Sequence, residues 1–272
     1  FGVAAVAVTV FLTVLMPPWV FKRLSDDRPW PSLAPPGAKP HTIPSLISFL
    51  VFFYLIYIGV SGPRDPLQNL LPLTLFTVWW ICFPVLQALL GDLWCWINPW
   101  DGPVQIVFKG RSYKKLPHQV GVWPAIISFS LAAVYTLTDL APDDPDRLAW
   151  VASGYWLFTF AMCGVFGKDW LHKGEGFTVF FDLLAQLSPL RTSPFGMRLP
   201  GQAIIAQAPH GLSVALFAVV MLALGSFDGL NETFWWMSQL GINPLEFPGR
   251  SAIAWQNRFG MGGAITLLTT GF

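Results

Sequence analysis

Four histidines, His41, His118, His172 and His210, are the residues of this chain best suited to bind a metal or move a proton near neutral pH. No two are spaced as HxH or HxxxH, and none lies at the centre of an apolar stretch. A haem held between transmembrane helices needs axial ligands at that depth, which argues against a haem-carrying subunit within these residues. Cys82, Cys95 and Cys163 form no CxxC pair and read as buried thiols. Nucleophilic hydrolysis requires Ser or Cys beside a base and an orienting third group, and no GxSxG occurs. A phosphate-cradling GxxxxGKS or GxxxxGKT is also missing. These types and spacings assign no catalytic residue and no metal, and the only bound molecules they lead us to expect are lipids.

Polar groups beside apolar stretches are better candidates, because burying them is costly unless they are paired. In GDLWCWINPWDGP, Gly91 to Pro103, Asp92 and Asn98 flank an aromatic run and Asp101 follows it. Asn98-Pro99 and Asp101-Gly102 read as turns, so the plain reading is a helix end whose freed backbone groups bond Asn98 and Asp101. In GKDWLHKGEGF, Gly167 to Phe177, Glu175 is placed to cap a following helix. In GSFDGLNETFWW, Gly225 to Trp236, Asp228 and Glu232 stand where a cation or a partner could meet them, beside Trp235 and Trp236. Asp182 and Gln186, four apart, share one face of a short apolar stretch.

The elements that must position these groups are membrane helices. Of the 272 residues, 54% are apolar and 11% charged, against about 25% charged in a soluble domain. So little charge cannot cover a water-facing surface, and 14 Trp and 23 Phe suit rings placed at headgroup depth. A net charge of +1 gives no case for nucleic acid. Stretches near the ~20 residues that span a bilayer occur at about 1–20, 45–61, 70–96, 122–140, 149–167, 211–226 and 253–272. The expected fold is therefore all-α, one polytopic transmembrane helix bundle over 1–272 with about seven spans. Pro84 is expected to kink the third span. Residues 177–190 are expected to form an amphipathic interfacial helix lying on the membrane surface or dipping into it, with an eighth span as the alternative. Both termini fall within apolar stretches, so a longer complete protein is expected.

Loop charges set an orientation. The loops after spans one, three and five carry Lys22, Arg23, Arg28 and Lys39; Lys109, Arg111, Lys114 and Lys115; and Lys168, Lys173, Arg191 and Arg198. Those after spans two, four and six carry only Arg64, Arg147, Arg250 and Arg258. The excess of basic residues places the odd-numbered loops in the cytoplasm and the N-terminus in the periplasm of a bacterial inner membrane. All four histidines fall on that cytoplasmic side, where a composite metal site is geometrically open. Trp19, Trp94, Trp96, Trp100, Trp123 and Trp170 then lie near cytoplasmic span ends, and Trp150, Trp235 and Trp236 near external ones.

Three segments resemble a known family. LLGDLWCWINPW, FGKDWLHKGEGFTVFFDLLAQLSPL and ALGSFDGLNETFWW, in that order, look like the signature segments of bacterial polytopic membrane proteins commonly labelled fenitrothion hydrolase. The resemblance implies a similar helical architecture with further helices after the last match, and an organophosphate-hydrolysing activity, but it assigns no catalytic residue. Three functions follow for testing. An accessory or scaffold subunit packed against other membrane proteins, in a respiratory or photosynthetic assembly, fits the missing cofactor motifs, the absence of mid-span charge and the aromatic and small-residue faces. A small-solute transporter would use Pro84, Gln87, Gln256 and Gly260-Met261-Gly262-Gly263 along its route. A membrane-bound hydrolase would need a histidine and at least two carboxylates converging in a pocket.

Overall fold

Twenty residues without a charge, Thr42–Ser61, form the first helix, α1, of a computed structural model that describes residues 42–192, 195–197, 200–206, 211–243 and 253–271. The span expected at 1–20 lies outside the described residues. Helix α2, Leu70–Leu90, starts where the Asn69 side chain accepts the Leu71 N–H at 3.0 Å and donates to the carbonyls of Ile58 and Pro63. Its middle, Leu73–Cys82, is wound as a π-helix, and the Phe83 N–H bonds the Val78 carbonyl five residues back. Pro84, where a kink is expected, follows directly on this winding. A proline ring clashes with the carbonyl four residues before it in an α-helix, and the wider turn ends at Cys82, two residues before that ring.

The third span also ends earlier than expected. Gly91, at φ 96°, stops α2 at Leu90, and the residues expected to prolong it form a separate short helix, α3, Trp94–Ile97. Helix α4, Asp101–Phe108, follows, then α5, Trp123–Thr138, and α6, Pro145–Phe166. Asp144 accepts the Arg147 N–H at 3.1 Å, and Pro145 pre-sets the first turn, so α6 begins four residues before the apolar run that marks it in the sequence. Helices α7, Asp169–Lys173, and α8, Gly176–Ala185, lead into a two-stranded hairpin, β1 Leu190–Thr192 and β2 Phe195–Met197. The chain closes with α9 Gln202–Ala206, α10 Leu212–Asn231, α11 Phe234–Gln239 and α12 Ala254–Gly271.

Apart from that hairpin the described fold is all-α. Four helices, α1, α2, α6 and α10, are long and apolar enough to cross a membrane, which points to membrane insertion. Helix α5 is apolar but spans only 16 residues, and α12 opens with Gln256, Asn257 and Arg258. Side-chain links sort the loops into two ends. Arg64 pairs with Asp144 at 3.5 Å, and Arg258 donates to Thr138 at 3.3 Å, joining the loop after α1 to the loop after α5 and the end of α5 to the first turns of α12. At the other end Lys168 pairs with Asp101 at 2.5 Å, Ser188 donates to the Leu89 carbonyl at 2.9 Å, and the Val122 N–H bonds Ser213 at 3.2 Å.

Helix α8 departs most from expectation. It is shorter than 177–190 and does not lie on a surface: Gly176, Thr178, Val179, Phe180, Phe181 and Ala185 are buried. Its rings pack on three helices, Phe177 on Trp79 (4.7 Å between centroids) and Tyr155 (5.5 Å), Phe180 on Phe129 (5.4 Å). With Phe177, Val179, Phe180, Phe181, Leu183 and Leu184 the helix is apolar nearly all round, so burial is its lowest-energy placement. Trp94, Trp100 and Trp170 likewise belong to this core, at 3%, 5% and 6% exposure, instead of to an aromatic belt.

Candidate functional site

Glu175 sits at the turn between α7 and α8, inside the bundle. Its partner Tyr155 is midway along α6, and Gly176 beside it presses on the Phe129 backbone midway along α5. A Cβ on Gly176 would come 2.7 Å from the Phe129 nitrogen, so only glycine permits this approach. Non-helical backbone at such depth persists only when protein covers it and satisfies its polar groups. The Gly174 and Glu175 N–H groups bond the Trp170 carbonyl at 2.7 and 3.0 Å, and Ser128 donates to the Gly174 carbonyl at 3.1 Å.

The Glu175 carboxylate, 1% exposed, accepts the N–H groups of Phe177 (3.0 Å) and Thr178 (2.6 Å) and the hydroxyl of Tyr155. It caps α8 by taking two of the N–H groups left free at the helix start. Thr178 continues the network, accepting from the Trp94 indole at 3.0 Å and the Asn98 amide at 3.2 Å. The Asn98 side-chain oxygen accepts the Trp100 N–H at 3.0 Å, closing the turn read from Asn98-Pro99. Its backbone carbonyl accepts the Ser45 hydroxyl, whose oxygen takes the Gly102 N–H at 2.6 Å. The Trp100 indole reaches the Trp156 carbonyl at 3.0 Å. One bonded chain therefore joins α1, the 91–103 segment, α6 and α8.

Gln87 anchors a second knot. Its amide donates to Asp92 and to the Phe181 carbonyl, both at 3.1 Å, and its oxygen accepts the N–H groups of Leu93 (2.9 Å) and Trp94 (3.1 Å). All four of its bonding positions are used. Asp92 also accepts the Cys95 N–H at 3.1 Å. Burial and the nearby Asp92 push the Cys95 thiol well above its ordinary value, so it stays protonated. Among buried groups of this region, the indole N–H groups of Trp156 and Trp170 are the exceptions without a partner.

Toward the same end of the bundle, His172 Nδ1 lies 3.4 Å from an Asp182 carboxylate oxygen. The hydrogen bond to Asp182 raises the affinity of His172 for its proton above the usual range. Burial pushes Asp182 up, and His172 pulls it back. Asp92 and Asp101 also act on His172 through space. Among the described residues no three His, Cys, Asp or Glu side chains are grouped to hold a metal ion. His41 and His210 lie outside the described residues.

The structure thus brings together Asp92, Asn98, Asp101, Glu175 and Asp182 from two segments about 80 residues apart. It leaves the third segment elsewhere. Asp228, Glu232 and Trp235 are exposed at the opposite end of α10, and the Trp236 indole donates to Asn257 at 2.9 Å. Gln256 is exposed on α12. Sequence reasoning did not single out Ser45, Tyr155 or Thr178. Ser45 and Tyr155 stand as isolated polar residues in apolar runs, and that isolation is the signal that could have found them. Comparison of the chain with protein families, with curated proteins and with solved structures finds no match.

Proposed function

We propose that this chain is a scaffold, an accessory subunit that packs against other membrane proteins in a respiratory or photosynthetic assembly of the bacterial inner membrane. The observation that carries the reading is the use of the buried polar side chains. Gln87, Asn98, Glu175 and Thr178 spend their bonding capacity on one another and on the backbone, so they brace the bundle instead of facing a substrate. About seven spans, counting α5, α12 and residues 1–20, suit this role. The basic end, with Lys109, Arg111, Lys114, Lys115 and Lys173, supports a cytoplasmic placement of the 91–122 and 167–211 segments. The opposite end gathers Asp65, Asp139, Asp143, Asp144 and Asp146 around Arg64 and Arg147. Mild-detergent extraction from native membranes, followed by size separation and mass spectrometry, tests the role. Stoichiometric co-migration with a larger complex is the expected result; migration alone overturns it.

One feature favours a second reading, the organophosphate hydrolysis implied by the family resemblance. His172 is held by Asp182 through Nδ1, is exposed, and keeps Nε2 for a proton from an attacking water. Turnover of a nitrophenyl organophosphate by the purified chain, lost on His172→Gln, would support that activity. Equal rates for the two proteins would remove it.

A further inference from the structure

The segment Lys109–Lys115 places Lys109, Arg111, Lys114 and Lys115 within seven residues, all exposed. No Asp or Glu occurs anywhere from 102 to 138. Among the described residues none of these four cations is in an ion pair, whereas Lys168, Arg147 and Arg64 each hold a carboxylate within 4.0 Å. The strip is nevertheless fixed. Lys109 and Gly110 turn the chain with φ of 51° and 74°, the Arg111 N–H bonds the Phe108 carbonyl, and the Lys114 N–H bonds the Val165 carbonyl, both at 2.8 Å. These bonds hold it at the end of α6, one of the four helices long and apolar enough to cross a membrane. One turn earlier, Ile106 and Val107 on α4 are 52% and 58% exposed, an apolar face that would enter the acyl region. Tyr113, 83% exposed, sits within the strip.

We propose that Lys109–Lys115 is a binding strip for the phosphate headgroups of anionic phospholipids. Among the described residues no carboxylate pairs with these cations, Lys114 lies 6.0 Å from the Tyr113 ring centre, and α4 supplies the adjoining contact for the acyl chain. A basic cluster beside a membrane helix attracts acidic lipid with an effect that falls off over a Debye length. The proposal is independent of the scaffold reading, since it needs only insertion into a bilayer.

The test uses the whole chain in phosphatidylcholine vesicles carrying a trace of spin-labelled phosphatidylglycerol or, separately, spin-labelled phosphatidylcholine. The fraction of each label immobilised by the protein is measured. We expect a severalfold excess of immobilised phosphatidylglycerol at about 0.1 M salt, falling toward parity near ~1 M. The variant K109Q/R111Q/K114Q/K115Q should lose most of the excess while melting with the unaltered chain, and Lys173→Gln should keep it. Equal immobilisation of both labels by the unaltered chain overturns the proposal. So does an excess retained by the fourfold variant, or lost equally in Lys173→Gln. Loss of a co-migrating protein from the fourfold variant, with its lipid preference unchanged, assigns the strip to a protein partner and also overturns it.

Discussion

Asn98 shows how one side chain fixes several elements. It donates to Thr178 of α8, accepts from Trp100, and its carbonyl holds Ser45 of α1. Asn98→Ala removes both side-chain bonds and leaves the buried Trp100 N–H orphaned, which costs about 1–3 kcal/mol. Thermal unfolding in mild detergent should show that loss, whereas Asp101→Asn, whose ion pair with Lys168 is partly exposed, should stay within about 1 kcal/mol. The His172–Asp182 pair behaves differently with pH. Because Asp182 raises His172, the folded chain holds that proton more tightly than the unfolded chain does. Its stabilisation is complete below about pH 6.5, the unfolded value, and fades as pH rises through the raised one. The stability difference between the chain and His172→Gln should therefore be largest below about pH 6.5 and shrink as pH rises through the raised His172 value. Solvent screening keeps it to about 1 kcal/mol or less, and for the same reason Asp182→Leu should still fold.

Helices here owe their positions to small residues and caps as much as to apolar runs. A Cβ on Gly59 of α1 would lie 2.4 Å from Leu71 Cδ2 and 3.0 Å from the Ala149 Cβ, so this glycine lets α1 meet α2 and α6. Gly59→Leu should destabilise by about 1–3 kcal/mol through overpacking. Gly225→Ala on α10, with open space around it, should be neutral or slightly stabilising in the same melts. The described spans were legible in the sequence because runs near 20 apolar residues have few other uses. Their ends were less so. The cap Asp144-Pro145 and the break at Gly91 are local signals that hydropathy overrides, and the π-helical winding before Pro84 depends on how a whole turn rearranges. Helix α8 was misplaced because its Asp182 and Gln186 suggested a wet face, while the rings that bury it, Trp79, Phe129 and Tyr155, come from three distant helices.

At the scale of the molecule, the α7–α8 hairpin packs inside a bundle of apolar helices, and a bonded polar network ties it to α1, α6 and the 91–103 segment. Sequence reading found Asn98 and Glu175 as polar groups in need of partners. It could not supply those partners, since Glu175 meets Tyr155 and Thr178 meets Trp94 only after the chain folds back. We infer that these groups hold the fold together. Thermal unfolding of Glu175→Ala beside Glu232→Ala tests it most directly. Glu175→Ala orphans two N–H groups and the Tyr155 hydroxyl, and should lose about 3 kcal/mol or more, with α8 and α6 unlocking together. The exposed Glu232 should give a change within about 0.5 kcal/mol. If Glu175→Ala instead melts with the unaltered chain, the carboxylate is not a brace, and the scaffold reading loses the observation that carries it.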